Sequence, residues 1–263
     1  MITLYIESIG LLAPGLIGWP AARAILNGNA DYVWQDVPPT APAILAPAER
    51  RRCIALARLT LNAAHEAMQS APAKAHQQLA CVFSSSDGDS QTIIQIMDGL
   101  TQDEPAVSPT RFANSVHNAT AGYWSMAMGM KLGSTCLSAF DESFAAGLLE
   151  AAAQTTDEQV DVLYTASDAR MLEPFSELRP IEIDCATSLL LTWQRSGASL
   201  ARLEIDLVQA RPATALPACL PAPFAGCPAA RALPLLAALA AGGDSTVDFD
   251  YLGQTLSARV FPC

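Results

Sequence analysis

Residues Phe144 to Ala153 form a helix-prone run, Phe-Ala-Ala-Gly-Leu-Leu-Glu-Ala-Ala-Ala, that is apolar nearly all the way round. A helix with one apolar stripe can lie on a surface, but one that is apolar on almost every side has to be covered on every side. Its neighbours in the chain are strand-like. Gly133 to Ser138 precedes it, and Val160 to Ala166 and Cys185 to Trp193 follow as continuous apolar runs of the kind buried on both faces. A buried helix between buried strands calls for a layered α/β architecture with this helix in the central layer. The chain can fill such layers: of its 263 residues 51% are hydrophobic and 16% charged, which excludes global disorder. With aromatics at only 6%, an all-β sandwich is disfavoured.

The remaining elements follow from local signals. Ile2 to Ser8 alternates as a strand and leads into a Gly/Pro-punctuated loop and a short helix at Ala21 to Asn27. Asp36 to Pro47 is proline-rich and reads as an extended connection, after which Pro47 to Gln69 predicts one long helix with Ile54, Ala57, Leu59, Leu61 and Ala64 inward. Leu79 to Ser84 is a strand, Ser90 to Leu100 a helix with Asp89 as N-cap, and a further helix runs from about Asn114 to Met130. Ser138 and Asp141 have capping-box spacing ahead of the apolar helix. Ser199 to Val208 is an alternating strand, Arg211 to Pro228 a linker, Ala229 to Ala241 a helix, and Ser245 to Phe261 a hairpin about Leu252-Gly253. Residues 1–208 are thus the main unit, and 209–263 a small helix-plus-hairpin that completes it.

Acidic side chains outnumber basic ones 26 to 15, a net charge of -11 that repels phosphate backbones and anionic lipid alike. Nucleic-acid and membrane partners are therefore not expected. The apolar N-terminus has no cationic residue ahead of it and carries Glu7, unlike a secretory signal, so a cytoplasmic protein is expected. Seven cysteines are scattered without a CxxC pair or nearby His, which argues for reduced, mostly buried thiols and against a metal or other cofactor site.

The richest segment is Ser108-Pro109-Thr110-Arg111-Phe112, then Asn114-Ser115-Val116-His117-Asn118-Ala119-Thr120-Ala121-Gly122-Tyr123-Trp124-Ser125. Its Ser-Pro, aromatic and Asn-x-x-Ala-Gly order resembles the β-ketoacyl synthase family, in which that helix packs across a dimer interface. Gly133 to Phe144 occupies the place of the family's strand and of the strained turn that bears its Cys nucleophile, and Ala186 to Leu191 looks like the strand after the central helix. The resemblance covers about residues 2–208. It implies a thiolase-like layered fold, complete in its N-terminal half and strongly truncated in its C-terminal half.

Counted from Gly133, the family's nucleophile position falls on Glu142, a carboxylate that suits a helix start but cannot carry an acyl thioester. The family also needs polar groups, usually His, after the nucleophile; here His65, His76 and His117 all precede it. The resemblance is thus to a catalytically silent subunit, the chain length factor of type II polyketide ketosynthases, and in its short Ser-Val-His-Asn form to the subunits linked to aryl polyene pigments. It implies a heterodimer with a full-length ketosynthase, which would receive the acyl carrier protein, with Phe112, Asn114, Ser115, His117, Asn118, Gly122, Tyr123 and Trp124 at the interface or tunnel. Small Ala119, Ala121 and Gly122 suit close approach, and Tyr123 and Trp124 suit anchoring.

Blander and rival readings stand beside these. His117 is either a hydrogen-bonded structural residue near Asn114 and Asn118 or part of the tunnel wall. Glu142 is either a carboxylate that satisfies its own helix's first N–H groups or a tunnel contact. Gly88-Asp89-Ser90 suggests a GDS-type esterase, but no His follows residue 117 to serve as base, and Asp89 as N-cap explains the same residues. A Cys136–His117 pair would make a stand-alone thiol hydrolase or acyltransferase, the main alternative, although Cys136 sits in an apolar strand.

Overall fold

The computed structural model describes residues 1–71 and 79–263; His76 lies outside them. Among the described residues nine strands form one mixed sheet: β1 (Ile2–Ala13), β2 (Leu16–Ile17), β3 (Leu79–Ser84), β4 (Ser134–Leu137), β5 (Asp161–Asp168), β6 (Cys185–Thr192), β7 (Ala201–Val208), β8 (Ser245–Tyr251) and β9 (Gln254–Pro262). Their spatial order is β4-β3-β5-β6-β1-β7-β9-β8, with β2 folded back on β1. β3 runs parallel to β4 and β5, and every other pairing is antiparallel.

Successive residues of the central strands feed two different cores. Val82, Val162, Tyr164, Leu189 and Leu191 enter one, and Cys81, Phe83, Leu163 and Leu190 the other. That is the period of two expected of a strand buried on both faces. α3 (Ala55–Gln69) and α6 (Ala119–Met128) cover the second face, while the first carries α7 (Ser143–Asp157) and the C-terminal α8 (Leu233–Ala241). α7 lies so close to β5 that a Cβ on Gly147 would sit 2.5 Å from the Tyr164 ring. The apolar helix is covered as expected, with Phe144, Leu148, Ala151 and Ala152 fully enclosed. The remaining helices are α1 (Trp19–Leu26), α2 (Pro47–Arg52), α4 (Ser90–Leu100) and α5 (Pro109–Asn114). None of the helices among the described residues is long and apolar enough to cross a membrane.

Three expectations fail for identifiable reasons. β1 continues past Ser8 to Ala13 because Gly10, Leu11 and Leu12 pair with β6, and the Gly/Pro signal at Pro14-Gly15 makes only the turn into β2. The helix from Pro47 to Gln69 breaks at Cys53 and Ile54, both extended. The break frees the Arg52 carbonyl to accept from Asn114 Nδ2 at 3.0 Å and the Tyr123 hydroxyl at 3.1 Å, and turns the Leu56 N–H onto Asp89 Oδ1 at 3.1 Å. Likewise residues 115–118 separate α5 from α6. Elsewhere Asp89 does cap α4, accepting from Thr92 N at 3.0 Å.

The segment after β7 is not a free-standing unit. β9 pairs along the whole of β7, so the β8–β9 hairpin extends the same sheet, and α8 packs beside α1 and the hairpin.

Candidate functional site: the head of α7 and the α5–α6 face

β4 delivers the chain to the head of α7 through a tight turn. Phe140 there has φ +54°, a left-handed conformation that a bulky side chain adopts only where its surroundings hold it. The holding contacts are visible: Ala139 N–H donates to Ser143 Oγ at 2.9 Å, and that hydroxyl donates to the Phe140 carbonyl at 2.7 Å. The expected capping box does not form, because Ser138 Oγ donates instead to the Ser86 carbonyl at 2.6 Å and a short 3₁₀ turn, Phe140–Glu142, leads into the helix.

The Phe140 ring is 60% exposed, and the Arg179 guanidinium lies over it, 3.5 Å from the ring centroid. Arg179 also pairs with Asp87 at 2.8 Å and Asp141 at 2.6 Å, its side chain only 15% exposed. These two carboxylates push the guanidinium pKa further up, against the downward pull of burial. Its Nη2 is enclosed without a hydrogen-bond partner. Asp87 accepts from the Ser86 hydroxyl, which also reaches the buried Asp168 at 2.9 Å. Asp168 takes further bonds from Ser86 N and Ser85 Oγ, and from Ala229 N at 2.8 Å, so one carboxylate ties β3's exit loop, β5 and the C-terminal segment together. Burial pushes its pKa up to about 6, partly opposed by those hydrogen bonds.

Glu142 neither carries the strained turn nor caps its own helix; the strained residue lies two positions earlier, at Phe140. The Glu142 Oε2 accepts the Leu252 N–H at 2.7 Å, holding the tip of the β8–β9 hairpin. Counting along the sequence could not show that a turn from the far end of the chain would claim this carboxylate.

The Cys136–His117 pair is not assembled. His117 Nε2 binds the Leu137 carbonyl at 2.9 Å, and burial pushes the Cys136 thiol up to about 11, opposite to the depression a thiolate nucleophile needs. His117 is an exposed, hydrogen-bonded residue, and no hydrogen bond joins it to Asn114 or Asn118. Ser90 is buried in the first turn of α4, behind Asp89.

On the α5–α6 face the named residues divide. Asn114 and Tyr123 are buried and bonded to each other at 3.0 Å, and Trp124 is fully buried; all three are core residues of the chain rather than surface anchors. Apolar periodicity could not separate the two faces of so short and uniformly apolar a helix. Ser115 turns back on the Phe112 carbonyl at 2.9 Å. What the face does expose is Phe112 at 66%, Asn118, Gly122 and, unflagged by the sequence, Val116 and Met126, the last at 64%. A Cβ on Gly122 would meet nothing within 4 Å.

A mixed sheet with enclosed helices on both faces and a strained turn at the head of the innermost one defines a thiolase-like protein. The chain belongs to the β-ketoacyl synthase family: residues 25–222 match the family described as beta-ketoacyl synthase, N-terminal domain. Among solved structures it is similar to a chain of the ketosynthase (ApeO) in complex with its chain length factor (ApeC) from Xenorhabdus doucetiae, with TM-score 0.73 and 22% identity, covering 98% of this chain and 100% of that one. It is similar also to the ishigamide ketosynthase/chain length factor, with TM-score 0.71 and 15% identity, covering 98% of both chains. The type II polyketide assembly AntDE:AntF, an acyl-carrier protein in complex with its ketosynthase, gives TM-score 0.67 at 14% identity over 80% of this chain and 70% of that one. At these identities the likeness is one of fold. No curated protein matches the chain.

Proposed function

We propose that this chain is the non-catalytic partner of a ketosynthase, a chain length factor that helps shape the acyl tunnel of a polyketide or aryl polyene synthase in the cytoplasm. The observation that supports the reading is the head of α7, where a strained Phe140 lies under the Arg179 guanidinium; on this reading that strained turn corresponds to the one that bears the nucleophilic Cys in the family. A phenyl ring can neither attack a thioester nor hold an acyl group. On this reading the degenerate position is Phe140, and residues 209–263 close the sheet in place of the family's second half. The two solved assemblies whose chains match almost end to end are both described as ketosynthase with chain length factor, which supports the same reading. Acidic carrier protein should dock on the ketosynthase, because this chain's charge of -11 repels it.

The test is co-purification of the chain with its ketosynthase, followed by mass spectrometry of each subunit after incubation with acyl- and malonyl-carrier protein. The acyl adduct is expected on the ketosynthase alone, and product length is expected to change when the chain is replaced by a relative. A turning-over adduct on the isolated chain sinks the reading.

A further inference from the structure

Besides the β7–β9 ladder, the C-terminal segment is tied to the rest of the chain at Asp168, and this tie brings two thiols together. Cys185 opens β6 directly opposite Asp168 on β5, and the Asp168 carboxylate accepts the Ala229 N–H at 2.8 Å. Cys227, two residues before Ala229, is thereby carried onto β6, where its thiol is in hydrogen-bond contact with that of Cys185. Both side chains are fully enclosed in the same core, and both are free thiols. We infer that this pair is a redox latch, at which a small disulfide oxidant of the glutathione class converts the two thiols into a Cys185–Cys227 bond that fastens residues 209–263 to β6.

The placement is particular to these two cysteines. Cys81 and Cys136 also share a face of the sheet, but Cys81 stands opposite Ser134 and Cys136 opposite Phe83. That offset is a diagonal of roughly 8 Å between Cα atoms at the usual strand spacing and rise, beyond what a disulfide bridges. Cys219 and Cys263 are exposed and lie outside the core. Cys185 and Cys227 are about forty residues apart in sequence, so a bond between them closes a long loop and removes freedom from the unfolded chain.

Enclosure also sets when the latch can close. Burial pushes the Cys227 thiol well up, and the Cys185 thiol beside it acts in the same direction. While the segment is shut, the thiolate that must attack is scarce and no oxidant reaches it. Opening of the segment exposes both sulfurs. A thiolate of the pair then attacks one sulfur of the oxidant and expels the first thiol. The other cysteine, deprotonated in its turn, attacks the mixed disulfide and expels the second. Two electrons pass to the oxidant, and its two halves leave as thiols with the two protons. The latch therefore fastens those molecules whose C-terminal segment has opened under oxidising conditions.

The experiment uses the full chain with Cys219→Ser/Cys263→Ser, which removes the two exposed thiols, incubated with glutathione disulfide over urea concentrations below the unfolding midpoint. Remaining thiols are blocked with N-ethylmaleimide in strong denaturant, and cross-links are mapped by mass spectrometry of unreduced peptides. The expected result is a Cys185–Cys227 cross-link with no glutathione retained, forming about ten-fold faster as urea nears the midpoint. The cross-linked form is expected to melt roughly 10 °C higher, reversibly on adding dithiothreitol. Cys227→Ala, checked by circular dichroism, is expected to trap glutathione on Cys185 instead; if that variant does not fold, the cross-link map alone decides. The inference is overturned if no Cys185–Cys227 cross-link forms at any urea concentration, if its rate is indifferent to urea, or if the cross-linked form melts below the reduced one.

Discussion

The head of α7 and the α5–α6 face belong to one sheet-and-helix framework but are finished in opposite ways. At the first, Asp87, Asp141, Arg179, Ser138, Ser143 and Glu142 are tied to one another or to backbone, and the strained Phe140 is held under a guanidinium. At the second, Phe112, Val116 and Met126 stand in solvent beside an uncovered glycine. Polar groups satisfied inside the molecule resist rearrangement, whereas exposed apolar area is what a partner can cover. The difference teaches that the head of α7 is a structural joint held by internal polar contacts, whereas the α5–α6 face leaves apolar side chains in solvent.

The comparison can be broken first at Asp168. Replacing it by Asn keeps its size but turns an amide donor toward one set of its donors, the Ser86 and Ala229 N–H groups among them, and is expected to cost about 3 kcal/mol of stability in urea unfolding. The pH dependence gives a second readout. Burial holds the folded carboxyl at about 6, above its ordinary value of 3.8, so its contribution to stability is full below about pH 4 and is lost as pH rises through about 6. The stability gap between wild type and Asp168→Asn is therefore expected to narrow over that window; a gap that widens with pH would refute the assignment.

Next in size is Gly147→Ala, whose Cβ would press on the Tyr164 ring from 2.5 Å, with an expected loss of about 2–3 kcal/mol in thermal unfolding. Arg179→Gln removes two ion pairs and the cover of Phe140; about 1–2 kcal/mol is expected, less in high salt because Asp141 is half exposed. The smallest effect sharpens the contrast: Gly122→Ala, in an open helical position, is expected to leave the isolated chain unchanged or to stabilise it by up to about 1 kcal/mol. A large destabilisation there would mean that the face is not open.

Where patterns are local, sequence and structure agree closely. Leu79–Ser84 and Ser90–Leu100 have the expected bounds, Asp89 caps the second, and the hairpin turns at Leu252-Gly253. The family and its layered fold were legible too, in the segment around Asn118 to Gly122 and in the all-apolar helix. The departures are all set by contacts between distant residues. No local signal announces that Arg52's carbonyl will be wanted by Asn114 and Tyr123, or that Glu142 will be spent on a turn 110 residues away. Nothing in the sequence marks Phe140, because an aromatic before a helix looks ordinary until its φ is known. The burial of Tyr123 and Trp124 within the chain is not legible in the sequence, because α6 offers no polar face from which to orient it.

The position of β1 has a consequence for how the molecule comes into being. It is synthesised before every strand it will pair with, and its two long neighbours, β6 and β7, are among the later parts of the chain; Leu4 lies opposite Leu203, and Leu11 opposite Thr187. At ribosomal speeds of roughly 5–20 residues per second, this strand waits on the order of ten seconds or more with both edges bare. Such an edge is a template for mispairing with other nascent chains. Production of this protein is thus expected to depend on how well β1 is shielded until β6 and β7 have been made, for instance by a chaperone, quite apart from how stable the finished molecule is.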